Sequence, residues 1–306
     1  MARIHATLVL LLSLSLILSG CVDRGRLKAE VLDAVLKHEN VRSYRFSGTL
    51  ELSVPAGAEP REPASGLGSL LPAVGTYSWQ GVASFDPPRA EAEIHLAAPD
   101  REPARIPVFI QHSRLVFSLP GAGGDRHFAV DLDGLAKRRG LEGASPLSGA
   151  GARFARAMAA FVEALDTARF DEPADTDGGR RIVASFGEGE SEAFGRFLDA
   201  ALPAAKAALS AYLPEEDPGS GPLEGAARSG YELRGPAVFT FDLNEDGYLE
   251  QFRAEVRLAW RREDGTTGGV NVRLVSRHDD INADPPFGLE MPEDAIPFND
   301  LLNLLP

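Results

Sequence analysis

Between Tyr44 and Leu132 the chain reads as a series of strands, the first strictly alternating between apolar and polar residues, and from Thr76 on the connections are too short to hold a crossover. Tyr44, Phe46, Gly48, Leu50, Leu52 and Val54 alternate with Arg45, Ser47, Thr49, Glu51 and Ser53, which predicts a strand with one buried and one wet face. Further strands are predicted at 76–85, 89–96, 107–112, 114–119 and 126–132, separated by Pro-Pro, Pro-Asp and Gly-rich turns. Parallel neighbours need a dozen or more connecting residues, so these segments predict an antiparallel sheet. A later block at 237–243, 248–262 and 269–278 repeats the pattern. Its turns, Asn244-Glu245-Asp246-Gly247 and Glu263-Asp264-Gly265, place glycine after aspartate, as a hairpin residue at positive φ requires.

Elsewhere the period is helical. Leu27, Val31, Ala34, Val35 and His38 predict a first amphipathic helix over 27–39. Phe154, Met158, Phe161, Val162 and Leu165 form the stripe of a second. A strand at 180–186 precedes a third helix over 191–213, with Phe194, Phe197, Leu198, Ala201, Leu202, Leu209 and Tyr212 on its apolar side and Pro203 expected to kink or split it. The stretches 55–74, 139–151 and 214–235 read as loops, and 298–305 as a short final helix. The class is α+β, with helices covering one face of an antiparallel sheet.

The N-terminus carries a different signal. Arg3, an apolar run from Leu8 to Leu18 too short to span a bilayer, and Ser19-Gly20 before Cys21 make up a signal peptide over 1–20 with a cleavage point at its end. Leu18-Ser19-Gly20-Cys21 resembles the lipobox of bacterial lipoproteins. The resemblance implies that the Cys21 sulfur receives a diacylglyceryl group, whose two acyl chains, palmitate among them, suffice for stable membrane anchoring. Residues 21–26 then act as lipidated cysteine and tether, and 27–306 as a single domain held within about 20 Å of the membrane. The expected location is the outer face of the cell membrane, or a periplasm-facing membrane in a cell with two.

Cys21 is also the only cysteine, so no internal disulfide can form and packing must supply the stability. Removing residues 1–20 takes away one arginine and no acid, leaving 30 basic against 45 acidic residues, a net charge of −15. Such a surface repels phosphate backbones and anionic headgroups, which argues against nucleic-acid binding.

No pattern carries catalytic chemistry. Asp242-Leu243-Asn244-Glu245-Asp246-Gly247 opens like a calcium loop, but its twelfth position is Arg253 and its flanks are strands, so a polar hairpin turn is the better reading, with weak calcium binding left open. Gly189-Glu190-Ser191-Glu192-Ala193 lacks the second glycine of a nucleophile elbow, and Ser191 reads as a helix N-cap. His38, His95, His112, His127 and His278 stand singly, without metal-ligand spacing. Asp279, Asp280 and Asp284 read as a solvated acidic turn. Neither a metal nor a cofactor is implied, and the chain is not expected to be an enzyme.

The order of elements has a further likeness. A lipobox and helix are followed by the strand SYRFSGTLEL, more antiparallel strands, a central helical insertion, the hairpin FTFDLNEDGYLEQFRAEVRL, and a strand leading into DDINADPPFGLEMPEDA. This resembles the LolA/LolB-like lipoprotein superfamily, with its LppX- and LprG-type lipoproteins, over most of 27–296. The resemblance implies a curved, incomplete antiparallel barrel wrapped around helices, with an apolar cavity for lipid. The candidate cavity residues are Phe154, Met158, Phe161, Leu165, Phe194, Phe197, Leu198 and Leu202; the simpler meaning of the same stripe is a filled core. Two functions are compatible with this pattern: a membrane-anchored carrier that binds a lipid or other apolar ligand, or a structural or regulatory envelope protein that binds a protein partner through its surface.

Overall fold

The structure, a computed structural model, describes residues 23–55, 74–99, 101–118, 126–138, 150–173, 179–209, 231–261 and 266–298. Cys21 and the signal segment, the predicted helix at 298–305 beyond Phe298, and the turn at 263–265 therefore lie outside the described residues.

The strands are β1 (Ser43–Ser53), β2 (Gly75–Phe85), β3 (Pro88–Ala98), β4 (Arg101–Gln111), β5 (Arg114–Ser118), β6 (His127–Asp131), β7 (Phe170–Asp171), β8 (Arg180–Phe186), β9 (Tyr231–Leu233), β10 (Ala237–Leu243), β11 (Leu249–Arg261), β12 (Thr267–Asp279) and β13 (Ile296–Pro297). The helices are α1 (Arg24–Leu36), continued by a 3-10 turn Lys37–Asn40, α2 (Leu132–Arg138), α3 (Ala150–Ala164) and α4 (Ser191–Leu209). The strands form one open, curved sheet in the order β13-β6-β5-β4-β3-β2-β1-β12-β11-β10-β8-β7, with β9 pairing β11. Every pairing is antiparallel except that of β13 with β6. The ends of the sheet do not meet, so the expected α+β incomplete barrel is what the chain forms.

The registers place the alternating residues on two faces. One row runs Ile182, Phe241, Phe252, Ser276, Gly48, Trp79, Ile94, Ile106 across eight strands. This face is apolar along most of the sheet. The other carries the charges: Arg273 beside Glu51 (4.0 Å) and Glu255 (3.5 Å), and Arg277 beside Glu250 (3.1 Å) and Asp279 (2.8 Å).

Three helices bury part of the apolar face. Asp23 caps α1 by accepting from the Arg26 amide at 3.0 Å, so the helix begins at Arg24 rather than Leu27. Its buried residues Leu27, Val31, Ala34 and Val35 recur at helical spacing. Helix α3 runs antiparallel to α1: the Lys28 ammonium donates to the Glu163 carbonyl (2.9 Å) and the Leu165 carbonyl at one end, and Arg156 pairs with Glu39 (3.0 Å) at the other. Lys28 thereby supplies charge where α3 exposes unpaired carbonyls. Helix α4 continues through Pro203 to Leu209 as one element.

Strand β4 starts at Arg101, six residues before the sequence suggests. Pro103 and Pro107 obscure it, but β5 pairs with residues 108–111, so among the described residues the proline-bearing half has a strand neighbour on one side alone. A missing N–H is tolerated at such an edge.

Candidate functional site

The eight predicted cavity residues divide by position. Leu165, Phe194 and Phe197 are buried, Met158, Phe161 and Leu198 pack against them, and Phe154 is 44% exposed. Leu202 sits in α4, but its side chain lies outside the described residues. Rings from the two helices and the sheet interlock: Phe161 lies edge-on to Phe197 and Phe239 (both 5.1 Å) and to Phe252 (5.8 Å), and Phe186 edge-on to Phe194 (5.2 Å). These are favoured aromatic geometries, and they fill the space between α3, α4 and strands β8, β10 and β11.

That core cluster contains no residue of β1–β6. On the same apolar face Ala83, Leu96 and Phe128 are buried, but Tyr77, Trp79, Ile94, Ile106, Val108, Leu115, Phe117 and Val130 are only half-buried. Two glycines shape this wing. A Cβ on Gly48 would overlap the Trp79 indole, and one on Gly81 would come within 2.7 Å of the Phe46 ring. Each ring thus lies across a glycine of the neighbouring strand instead of standing off the sheet. Only a residue without a side chain allows that approach. The result is a broad apolar floor, which sequence reasoning missed; the pairing of Gly48 with Trp79 was its signal.

The opposite face of the wing has one buried row, Val82, Glu91, Phe109 and Val116 in register. Residues 283–297 strap across it from β12 to β6. Glu91 accepts from the amides of Gly288 (2.7 Å) and Leu289 (3.0 Å), and the Arg89 guanidinium stands 4.2 Å over the Phe287 ring. The strap ends with Ile296 and Pro297 paired to β6 and Phe298 against Phe117 (5.6 Å) on the floor side.

Wing and helical layer meet at a seam. Gly151 of α3 lies against Phe85 of β2, and Phe154 turns its ring edge to His278 of β12 at 6.0 Å. His278 is 7% exposed and His38 4%, their rings 5.2 Å apart. His38 Nε2 donates to the Leu249 carbonyl at 3.1 Å; His278 Nδ1 is buried with no hydrogen-bond partner among the described residues. Burial lowers the pKa of His38, and burial together with the nearby His38 lowers that of His278 to about 4, against the pull of the Leu249 carbonyl. Tyr44, 5.1 Å from His278, is pushed up to about 12 by burial.

The remaining predicted motifs have local structural roles. The 242–247 segment is a hairpin turn: Asn244 Oδ1 accepts from the Tyr248 amide (2.9 Å) and Gly247 has φ 74°. Asp242 is held by Arg181 (2.6 Å) and Arg253 (3.2 Å), so the arginine at the twelfth position neutralises the first carboxylate. Ser191 is not the N-cap: its hydroxyl accepts from the Leu233 amide of β9 (2.9 Å), while Glu190 takes the Gly187 amide (2.6 Å). The pKa of Glu190 is lowered by Arg169 and by that amide. Asp279 and Asp280 pair with Arg277 and Arg45. Among the described residues no three His, Cys, Asp or Glu side chains converge. A groove of about 810 Å³ between α1, the start of β8 and the 244–247 turn is lined by Arg26, Glu30, Asp33, Lys37 and Arg180, a mixed polar set.

No family model and no curated protein matches the sequence. Among solved structures the chain is similar to LprF from Mycobacterium bovis, with 9% identity and a TM-score of 0.39 over 87% of this chain and 97% of that one. It is also similar to a DUF1329 family protein from Desulfovibrio piger, with 8% identity and a TM-score of 0.23 over 87% and 96%. At these values the likeness carries no functional argument, and function rests on the chain's own residues.

Proposed function

We propose that this protein is a lipid-anchored, extracytoplasmic carrier that binds an apolar ligand, a lipid above all, on the wing of its sheet that α1, α3 and α4 leave uncovered among the described residues, and does no catalysis. One observation carries the reading. The apolar face continues beyond the helices, and there Trp79 and Phe46 lie flat across Gly48 and Gly81. Flat rings make a floor on which an acyl chain can lie, whereas the interlocked rings between α3 and α4 fill their own space. The ligand site therefore moves from the predicted stripe to the wing, with Phe154 at its border. The anchor remains Cys21, on the strength of Leu18-Ser19-Gly20-Cys21, and residues 27–306 act as one carrier domain.

Mass spectrometry of the unanchored Val22–Pro306 domain secreted by its native host, compared with a delipidated sample, tests the carrier reading. A stoichiometric lipid is expected; a clean spectrum would reject it and favour an envelope protein that binds a protein partner through its surface. The location on the wing has its own test, because the chain has two tryptophans. Trp79 lies on the floor and Trp260 packs against the helical core. A brominated fatty acid is expected to quench Trp79 and spare Trp260, read with Trp79→Phe and Trp260→Phe variants. For the anchor, Cys21→Ser is expected to release the protein from washed membranes, and its retention there would reject lipidation.

A further inference from the structure

Two buried imidazoles occupy a place where the helical layer, the wing and a hairpin turn all meet. His38 belongs to the 3-10 turn after α1, His278 to β12, and both face the Leu249 carbonyl at the start of β11. Around them stand Tyr44 of β1 (5.1 Å from His278), Tyr248 of the hairpin (5.9 Å from His38) and the half-exposed Phe154 of α3. One carbonyl is the hydrogen-bond partner found for two rings, and His278 Nδ1 has none among the described residues.

The charged groups on the surrounding elements are committed elsewhere. From α1 and its 3-10 turn, Lys37 pairs with Asp33 (3.4 Å) and donates to the Asp246 carbonyl, and Glu39 pairs with Arg156 of α3. Arg153 of α3 is likewise engaged. From β1, Tyr44 is a neutral phenol and Arg45 is bound to Asp280. From β12 and β11, Arg277 binds Asp279 and Glu250 across the polar face. Among the described residues no carboxylate pairs with either imidazole, so a proton arriving on one ring finds no counter-charge and a second imidazole 5.2 Å away.

We propose that the His38–His278 pair is an acid-operated latch: neutral, it lets α3 and the end of α1 close on the sheet, and protonation opens the seam between the helical layer and the wing. The half-exposed Phe154 is the edge that lifts. Release of an apolar ligand by acid rests on the carrier reading above; opening of the seam does not.

The sign is set by where the ring ionises. His278 takes up its proton at about pH 4 in the closed form and near 6.5 once exposed, so closure is fully favoured above pH 6.5 and is lost progressively as pH falls towards 4. Between pH 7.5 and pH 5.0 the open-to-closed ratio rises by about 30-fold for this ring alone.

Hydrogen exchange of the intact protein at pH 7.5 and pH 5.0, corrected for intrinsic rates, reads this directly at the amides of 37–43 and 150–158. Protection there is expected to fall by about 30-fold at pH 5.0 in the wild type, and His278→Phe is expected to remove most of that fall. Equal protection at both pH values, or an unchanged fall in His278→Phe, would overturn the latch. Should that variant not fold, the wild-type imidazole titration by NMR decides: a midpoint near 4 for His278 supports the latch and one near 6.5 overturns it. Ligand retention at pH 5.0 is measured separately, so a failed carrier reading leaves the exchange result standing.

Discussion

The helix-backed half of the sheet and the wing from β1 to β6 are written in the same alternation, yet only one of them closes into a core. Over β8, β10 and β11 the apolar face meets Leu27, Val31 and Val35 of α1, Val162 of α3 and Phe194 and Phe197 of α4, and phenylalanine rings pack edge to face. Over β2 to β5 the same face shows mostly half-buried residues, with Ala83 and Leu96 buried among them, and rings laid on glycine, while the polar face gains a continuous buried row beneath the strap. Alternation decides which residues share a face. What becomes of that face depends on whether a helix is delivered to it.

The comparison breaks first at its most packed point. Phe239→Ala, on a side chain 3% exposed and touching Phe161 and Phe197, is expected to cost about 3–5 kcal/mol, whereas Phe117→Ala on the wing is expected to cost about 1–2 kcal/mol, both by chemical denaturation. Equal costs would mean that the wing is as filled as the core. Next, Gly48→Ala is expected to lose about 1–3 kcal/mol, because its Cβ meets both the Trp79 indole and, at 2.6 Å, the Val275 carbonyl. A Trp79→Ala change on top of it should recover little if the carbonyl contact dominates, and most of the loss if the flat ring does. Glu91→Ala, which leaves the Gly288 and Leu289 amides unpaired, is expected to cost about 2 kcal/mol and to raise hydrogen exchange at those two amides while the helical half stays protected. The smallest effect belongs to the polar face: Arg273→Ala, removing exposed pairs with Glu51 and Glu255, is expected to change stability by under about 1 kcal/mol.

Much of the architecture was legible because it depends on neighbours in sequence. The alternation at 44–54 and the Asp-Gly turn at 246–247 appear as predicted, since the pleat and the positive φ are local demands. Strand β4 was half hidden because its prolines fit where, among the described residues, no second strand neighbours it, a tertiary fact. Ser191 looked like a cap, but the competing donor, Leu233, lies 42 residues away. The stripe of Phe154, Phe161 and Phe197 was recognisable as apolar, while whether rings from β10 and β11 fill the space against it depends on geometry that period alone does not carry. The floor of Trp79 on Gly48 and the strap held by Glu91 are both long-range pairings of this kind.

The Lys28 contact has a mechanical consequence. The first described residue, Asp23, feeds directly into α1, whose Arg24 guanidinium grips the Phe170 carbonyl (3.2 Å) and whose Lys28 grips the end of α3. A pull on the chain from its N-terminal side is therefore shared among α1, α3 and β7 within two turns of helix. The wing lies off this load path, joined to it through β12 and the seam. With the proposed lipid anchor in place, tension from that side would be borne by the helix-backed half of the molecule, leaving the floor of Trp79 and Phe46 unstretched.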